Sequence, residues 1–213
     1  MIVRIAKRGT TNGLLATFLF PFVALISTAI VAAGSTALAP ASSKMVFAID
    51  PAQSHLHWTL GTTLHTVHGT FAVSGGELEM DSASSAASGE IIVDARSGDS
   101  GNGSRDSRMH REILESDKFA QIVFRPQRIE GKLESGKAVV LQVHGIFVLH
   151  GADHEMDLPV GANISGDHWT GTANFKVPYI KWGLKNPSNF VLRVKPDVQI
   201  DLELAGNLRN SQL

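Results

Sequence analysis

The sequence predicts an all-β domain, a closed antiparallel barrel of about eight strands with one short helix. Three observations predict it. From residue 45 onward apolar residues recur at every second position, most plainly where Val198, Ile200, Leu202 and Leu204 alternate with Gln199, Asp201 and Glu203. Only residues 108–114 read as a helix, and Gly-, Pro- and Ser-rich breaks punctuate the rest at hairpin spacing. The strands around residues 54–73 and 138–162 are long and one-faced, which favours closure, because a closed barrel has no exposed edges. An eight-stranded barrel is either filled by its side chains or holds one slender ligand.

Ahead of the domain, residues 1–43 read as a targeting segment. Arg4, Lys7 and Arg8 precede a charge-free run that lasts until Lys44, with an apolar heart over residues 14–33 and small residues after it. That is the layout of a secretory signal, with cleavage spacing at Ser35-Thr-Ala37 and Ala39-Pro-Ala41. The heart is nearly long enough to span a bilayer, so an uncleaved anchor is the alternative. Either way the expected location is periplasmic or extracellular. The domain is assigned to residues 44–206 and a tail to residues 207–213.

The 213-residue chain has no cysteine, which excludes disulfides, thiolate metal sites and cysteine nucleophiles. Without the leader, sixteen basic residues face twenty acidic ones. An acidic domain lacks the clustered positive charge that nucleic acid requires, so no nucleic-acid partner is expected.

In chain order, residues 46–49 open the domain and Asp50-Pro51 turns it. Residues 54–60 place Leu56, Trp58 and Leu60 on one face and His55, His57 and Thr59 on the other. Residues 64–73 continue with Val67, Phe71 and Val73, interrupted at Gly69. Strands at 77–80 and 89–95 flank a Ser/Ala-rich loop. Residues 97–107 read as a mobile loop before the helix. Strands at 121–125 and 128–133 are split by Pro126. A long hairpin over residues 141–160 turns at Gly151-Ala152-Asp153; its dry face carries Leu141, Val143, Gly145, Phe147 and Leu149, then Met156, Leu158 and Val160. Gly145 fits a thin cavity wall, a bulge or tight packing. Strands at 169–178, 190–195 and 197–204 complete the domain.

Chemistry is sparse. His55 and His57 share the polar face of one strand, and His65 and His68 lie on its neighbour, a legitimate ligand geometry that lacks an evident third ligand. No metal is assigned, and a metal-binding or hydrolytic barrel is kept as a rival, as is a solidly packed interaction domain. His150, Asp153 and His154 straddle the hairpin turn without a nucleophile and read as rim. No GxSxG, HExxH or Gly-rich phosphate loop occurs, so no enzyme activity, catalytic residue or cofactor is assigned. The inward set is instead suited to an elongated apolar ligand: Leu56, Trp58, Leu60, Val67, Phe71, Ile122, Phe124, Val143, Phe147, Leu149, Leu158, Val160, Phe175, Val177, Ile200 and Leu202.

Four stretches carry a family resemblance. These are Asp50-Pro-Ala-Gln-Ser-His-Leu-His-Trp-Thr-Leu60, Val67-His-Gly-Thr-Phe71, Leu114-Glu-Ser-Asp-Lys-Phe119 leading into Ile122-Val-Phe124, and Val143-His-Gly-Ile-Phe-Val-Leu-His-Gly151. In order and spacing they resemble the YceI-like, lipid- or polyisoprenoid-binding proteins over residues 47–204. The resemblance implies an extended, lipocalin-like barrel, exported, that carries or stores an isoprenoid or other long-chain lipid along its axis. Gln53 and Thr62 stand where the family often has His, and Lys118-Phe119-Ala120 replaces a Phe-Phe-Asp segment, so head-group contacts at the mouth are expected to differ. Membrane contact through an uncleaved leader and pairing into a homodimer stay open.

Overall fold

The computed structural model describes residues 44–211; residues 1–43, expected to be a targeting segment, and the last two residues lie outside them. Ten antiparallel strands form one sheet: β1 Lys44–Ile49, β2 His55–Gly61, β3 Thr66–Phe71, β4 Val73–Asp81, β5 Ala87–Asp94, β6 Gln121–Glu130, β7 Val139–Leu149, β8 Ala152–Ser165, β9 His168–Val177 and β10 Val198–Ser211. The order β1-β4-β5-β6-β7-β8-β9-β10 closes on itself through β1–β10 pairing, giving an eight-stranded barrel with β2 and β3 added beside β10.

Those two added strands arise from bends. β1 and β2 lie end to end along β10, with Phe47 opposite Leu208 and Leu56 opposite Leu202. Between them the Asp50 carboxylate accepts from the Ala52 amide at 2.9 Å and from Gln53 Nε2 at 2.6 Å, turning the chain through a short 3-10 segment at Pro51–Gln53. Buried Ser54 pins this corner: its hydroxyl donates to the Asp50 carbonyl at 2.8 Å and accepts from the Ala205 amide at 3.2 Å. The free edge of β3 is covered in part by the loop after β5, where Thr70 and Asp99 exchange backbone bonds of 2.8 and 3.0 Å.

Several elements differ from the sequence expectation. Residues 97–107 are not a free loop. α1 spans Gly103–Arg108 and runs into a single π-turn at Met109–Ile113. The Asn102 side chain caps it by accepting from the Arg105 amide at 3.1 Å, and Arg105 reaches back to Ser100 Oγ and the Ser100 carbonyl, both at 2.7 Å. β6 is continuous through Pro126. The missing N–H is absorbed by a bulge between Pro126 and Arg128. Opposite it, a Cβ on Gly145 would sit 2.5 Å from the Arg125 carbonyl oxygen and 2.9 Å from Pro126 Cα. Of the three readings for Gly145, tight packing is realised, against a bulge in the facing strand.

The β7–β8 hairpin turns on His150 and Gly151, with φ of +53° and +75°, rather than on residues 151–153. Two left-handed residues make a tight turn whose twist matches the strands. The expected strand at 190–195 is absent. The Asn189 side chain accepts from the Val191 and Leu192 amides at 2.9 and 2.7 Å and folds the segment into a turn. Residues 207–211, read as tail, extend β10 and pair with β1.

The strand directions give the barrel two distinct ends. The β2–β3 turn, the connection holding α1, the β7–β8 turn and the β9–β10 connection gather at one, here called the mouth. The β4–β5, β6–β7 and β8–β9 connections, the start of β1 and the end of β10 form the base.

Candidate functional site

The alternation in each strand turns one apolar row toward the barrel axis, and the rows do not meet. They enclose a cavity of about 510 Å³. All sixteen inward residues expected from the sequence lie on its wall, from Leu56 on β2 to Leu202 on β10. Of these, Trp58, Val143, Leu149, Leu158, Val177 and Ile200 are buried. The Gly69 position admits Trp58: a Cβ there would fall 2.3 Å from the indole ring.

The wall extends further than the sequence reading. Phe47, Leu78, Met80, Ile91, Val93, Ile129, Leu141, Trp169 and Leu204 belong to it, and their alternation was a signal that could have found them. Met109, Ile113, Leu114, Tyr179, Leu184, Leu192 and Val194 close over the mouth. Tyr179 and Leu184 come from a turn-rich segment without strand period, Met109, Ile113 and Leu114 from the helical segment, and Leu192 and Val194 from a stretch that alternates like a strand but folds into a turn.

Polar side chains touch the cavity chiefly at its margins. Thr62, His65, Arg105 and Arg108 do so at the mouth. Of the two positions where the family often has His, Thr62 is therefore a mouth residue, whereas Gln53 sits at the β1–β2 corner bonded to Asp50 and is not on the wall. Phe119, in the other altered segment, packs its ring 4.3 Å from that of His150 and fills the space beside Gly151. Arg108 and Lys185 both reach Glu112, at 3.3 and 3.4 Å, and the Arg108 bond holds the Glu112 carboxyl below its usual range.

A ring stack sits across part of the mouth. His154 lies parallel to Trp182, with centroids 4.0 Å apart and planes 3° from parallel. Trp182 is 5.6 Å from Phe147, which meets Phe175 edge-on at 6.2 Å. His154 Nε2 is buried without a partner, and burial pushes the imidazole pKa down against a smaller opposing pull from Asp153. Tyr179 donates to the Lys195 carbonyl at 2.9 Å; burial, aided by Asp197, pushes its phenol up to about 12, so it remains a neutral donor. His150 pairs with Glu115 at 2.6 Å. His150, Asp153 and His154 are thus at the mouth, His150 bonded to Glu115 and His154 stacked on Trp182.

Of the histidines in the rival reading, His57 and His68 line one open pocket with Asp99 and Asp201, and His55 and His65 lie apart from it. His55, His57 and His68 are exposed, and His68 Nδ1 bonds to Thr59 Oγ1 at 3.0 Å. His65 reaches the cavity margin alone among them. Among the described residues no three His, Asp or Glu side chains are grouped to hold a metal ion. What the arrangement offers is volume and apolar surface, with cationic and hydroxyl groups at one end.

The comparisons with known proteins agree with this architecture. No curated protein matches the chain. Among solved structures, Burkholderia cenocepacia BcnA superposes with a TM-score of 0.63 at 18% identity, covering 74% of this chain and 99% of its own. A polyisoprenoid binding domain from Saccharophagus degradans, implicated in plant cell wall breakdown, gives 0.58 at 15% identity, covering 76% and 98%. The Campylobacter jejuni YceI protein gives 0.50 at 13%, covering 64% and 80%. At these identities the likeness is one of fold. The YceI-like domain model, however, matches residues 47–205, from the wall residue Phe47 almost to the end of the inward row on β10, and the chain belongs to the YceI-like family.

Proposed function

We propose that this protein is an exported carrier of a long-chain apolar lipid such as a polyisoprenoid, held along the barrel axis for transport or storage rather than turnover. The observation that carries the reading is the cavity of about 510 Å³ with its almost wholly apolar wall. A methylene is close in size to a water molecule, whose share of liquid volume is roughly 30 Å³, so the space suits on the order of fifteen carbons. At roughly 0.8 kcal/mol per buried methylene, a chain that fills it gains about 12 kcal/mol gross. Association costs at least about 4 kcal/mol of that, so short chains bind weakly and only one that fills most of the barrel is retained. The wall residues contribute burial and shape; Thr62, His65, Arg105 and Arg108 are placed to meet a polar or anionic head group at the mouth.

Two further facts support the reading. The family is shared, and one structural neighbour is described as a polyisoprenoid binding domain. The basic start, apolar heart and small-residue region of residues 1–43 support export. The test is native mass spectrometry, with lipid extraction, on protein made in its own host. A co-purifying long-chain lipid in stoichiometric amount is expected; a cavity found repeatedly empty of lipid overturns the carrier reading.

A further inference from the structure

At the mouth, two turns stand side by side with apolar tips. In the β2–β3 turn, Thr62 Oγ1 donates to the His65 carbonyl at 2.6 Å and accepts from the Leu64 and His65 amides at 3.3 and 3.1 Å, which leaves Leu64 at the apex. In the β9–β10 connection, a 2.8 Å bond from the Asn189 amide to the Leu192 carbonyl puts Phe190 and Val191 at the apex. The Thr63 amide donates to the Arg193 carbonyl at 3.0 Å and the Lys195 amide to the Gly61 carbonyl at 2.9 Å, so the turns are clamped together.

Leu64, Phe190 and Val191 are 70%, 108% and 80% exposed, and they are three of the four large exposed hydrophobics among the described residues. The fourth, Val140, belongs to the base. Within two or three residues of the tips, Thr62, His65, Leu192 and Val194 line the cavity. The exposed apolar groups thus edge its mouth and are not scattered as chance would place them.

The charge on the two segments that carry them has one sign. Residues 178–196 carry Lys181, Lys185, Arg193 and Lys195, all exposed, and no acidic residue; residues 61–70 carry none either. Lys185 alone of those four is ion-paired among the described residues, with Glu112. Of the acids near this end, Glu112 and Asp197 are ion-paired with Arg108 and Lys176, and Glu115 bonds to His150. Three apolar side chains present far less than the ~800 Å² that a specific protein partner covers. They match the shallow apolar insertion, ringed by cations, with which peripheral proteins hold a lipid surface.

We infer that the mouth docks on a bilayer with anionic head groups, Leu64, Phe190 and Val191 entering the acyl boundary and Lys181, Arg193 and Lys195 facing the head groups. This gives the proposed carrier a loading position, but docking itself does not depend on what the barrel holds.

Because the chain lacks cysteine, one polarity-sensitive dye can be placed at will. Full-length Val191→Cys and, at the base, Ala138→Cys carry the dye and are titrated with phosphatidylglycerol or phosphatidylcholine vesicles. A blue shift is expected for Val191→Cys with phosphatidylglycerol only, and none for Ala138→Cys, whatever the leader does. Adding Lys181→Gln and Arg193→Gln should weaken the vesicle response on the order of tenfold. No shift, equal shifts at mouth and base, or equal response to both lipids overturns the proposal. So does a shift that appears without vesicles as protein concentration rises, which would mark a second copy as the occupant. An empty barrel that still docks removes the carrier reading and leaves this one standing; a lipid-filled barrel with no shift does the reverse.

Discussion

His154 is inward-facing and stacked on Trp182, with Nε2 sealed from any partner. Its pKa lies below 6.5 in the folded protein because burial disfavours the imidazolium. The unfolded chain therefore takes up this proton first as pH falls. Above an unfolded pKa of about 6.5 the residue adds no pH dependence; below it, stability declines until pH reaches the folded value. The thermal midpoint of the native protein is expected to drop further between about pH 7.5 and about pH 5.5 than that of His154→Phe, which keeps a ring on Trp182. Equal drops would show that His154 does not carry the slope. Neither this site nor the role of Gly145 could be read from the residues themselves. The partner of Gly145 is Pro126 across a bulge, and the partner of His154 is Trp182 in a segment without strand period. Both depend on register, which local sequence does not encode.

For the elements, alternation made nearly all the strands legible, because each has one wet and one dry face. It failed where side chains captured backbone donors. Residues 190–195 alternate like a strand, but Asn189 folds their start into a turn. Residues 97–107 look like a loop by composition, yet Asn102 caps a helix there. The cap has a measurable worth. Asn102→Ala is expected to cost about 0.5–2 kcal/mol locally, seen as faster amide exchange over Gly103–Arg108 with the β7–β8 exchange unchanged. Exchange that rises uniformly through the barrel would instead mean that α1 is integral to the global unfolding unit.

For the molecule as a whole, the inward rows were legible and the space between them was not. Alternation states which side chains point inward; whether opposite rows touch depends on strand number and tilt. Closure likewise rests on pairing between the first and last strands, Lys44 opposite Ser211 through Ile49 opposite Gly206. Deleting residues 207–213 removes five of the six residue pairs of that ladder and leaves most of one edge of β1 unpaired, while β9 loses only the His168 pair. The truncated chain is expected to elute as aggregate and to lose its cooperative thermal transition, because bare edges recruit other chains. A monomer with an unchanged transition would show that the barrel does not need this seam.

The same seam sets how the barrel responds to force. Lys44 and Ser211 are directly opposite one another at the base, so tension applied between them pulls across the strands instead of along them. The β1–β10 bonds are then loaded one at a time, in the manner of a zipper, and no set of bonds shares the load as it would in shear. Pulled by its two ends, this barrel opens first along one line from the base, while the clamped turns at the mouth feel no load until the ladder is nearly spent.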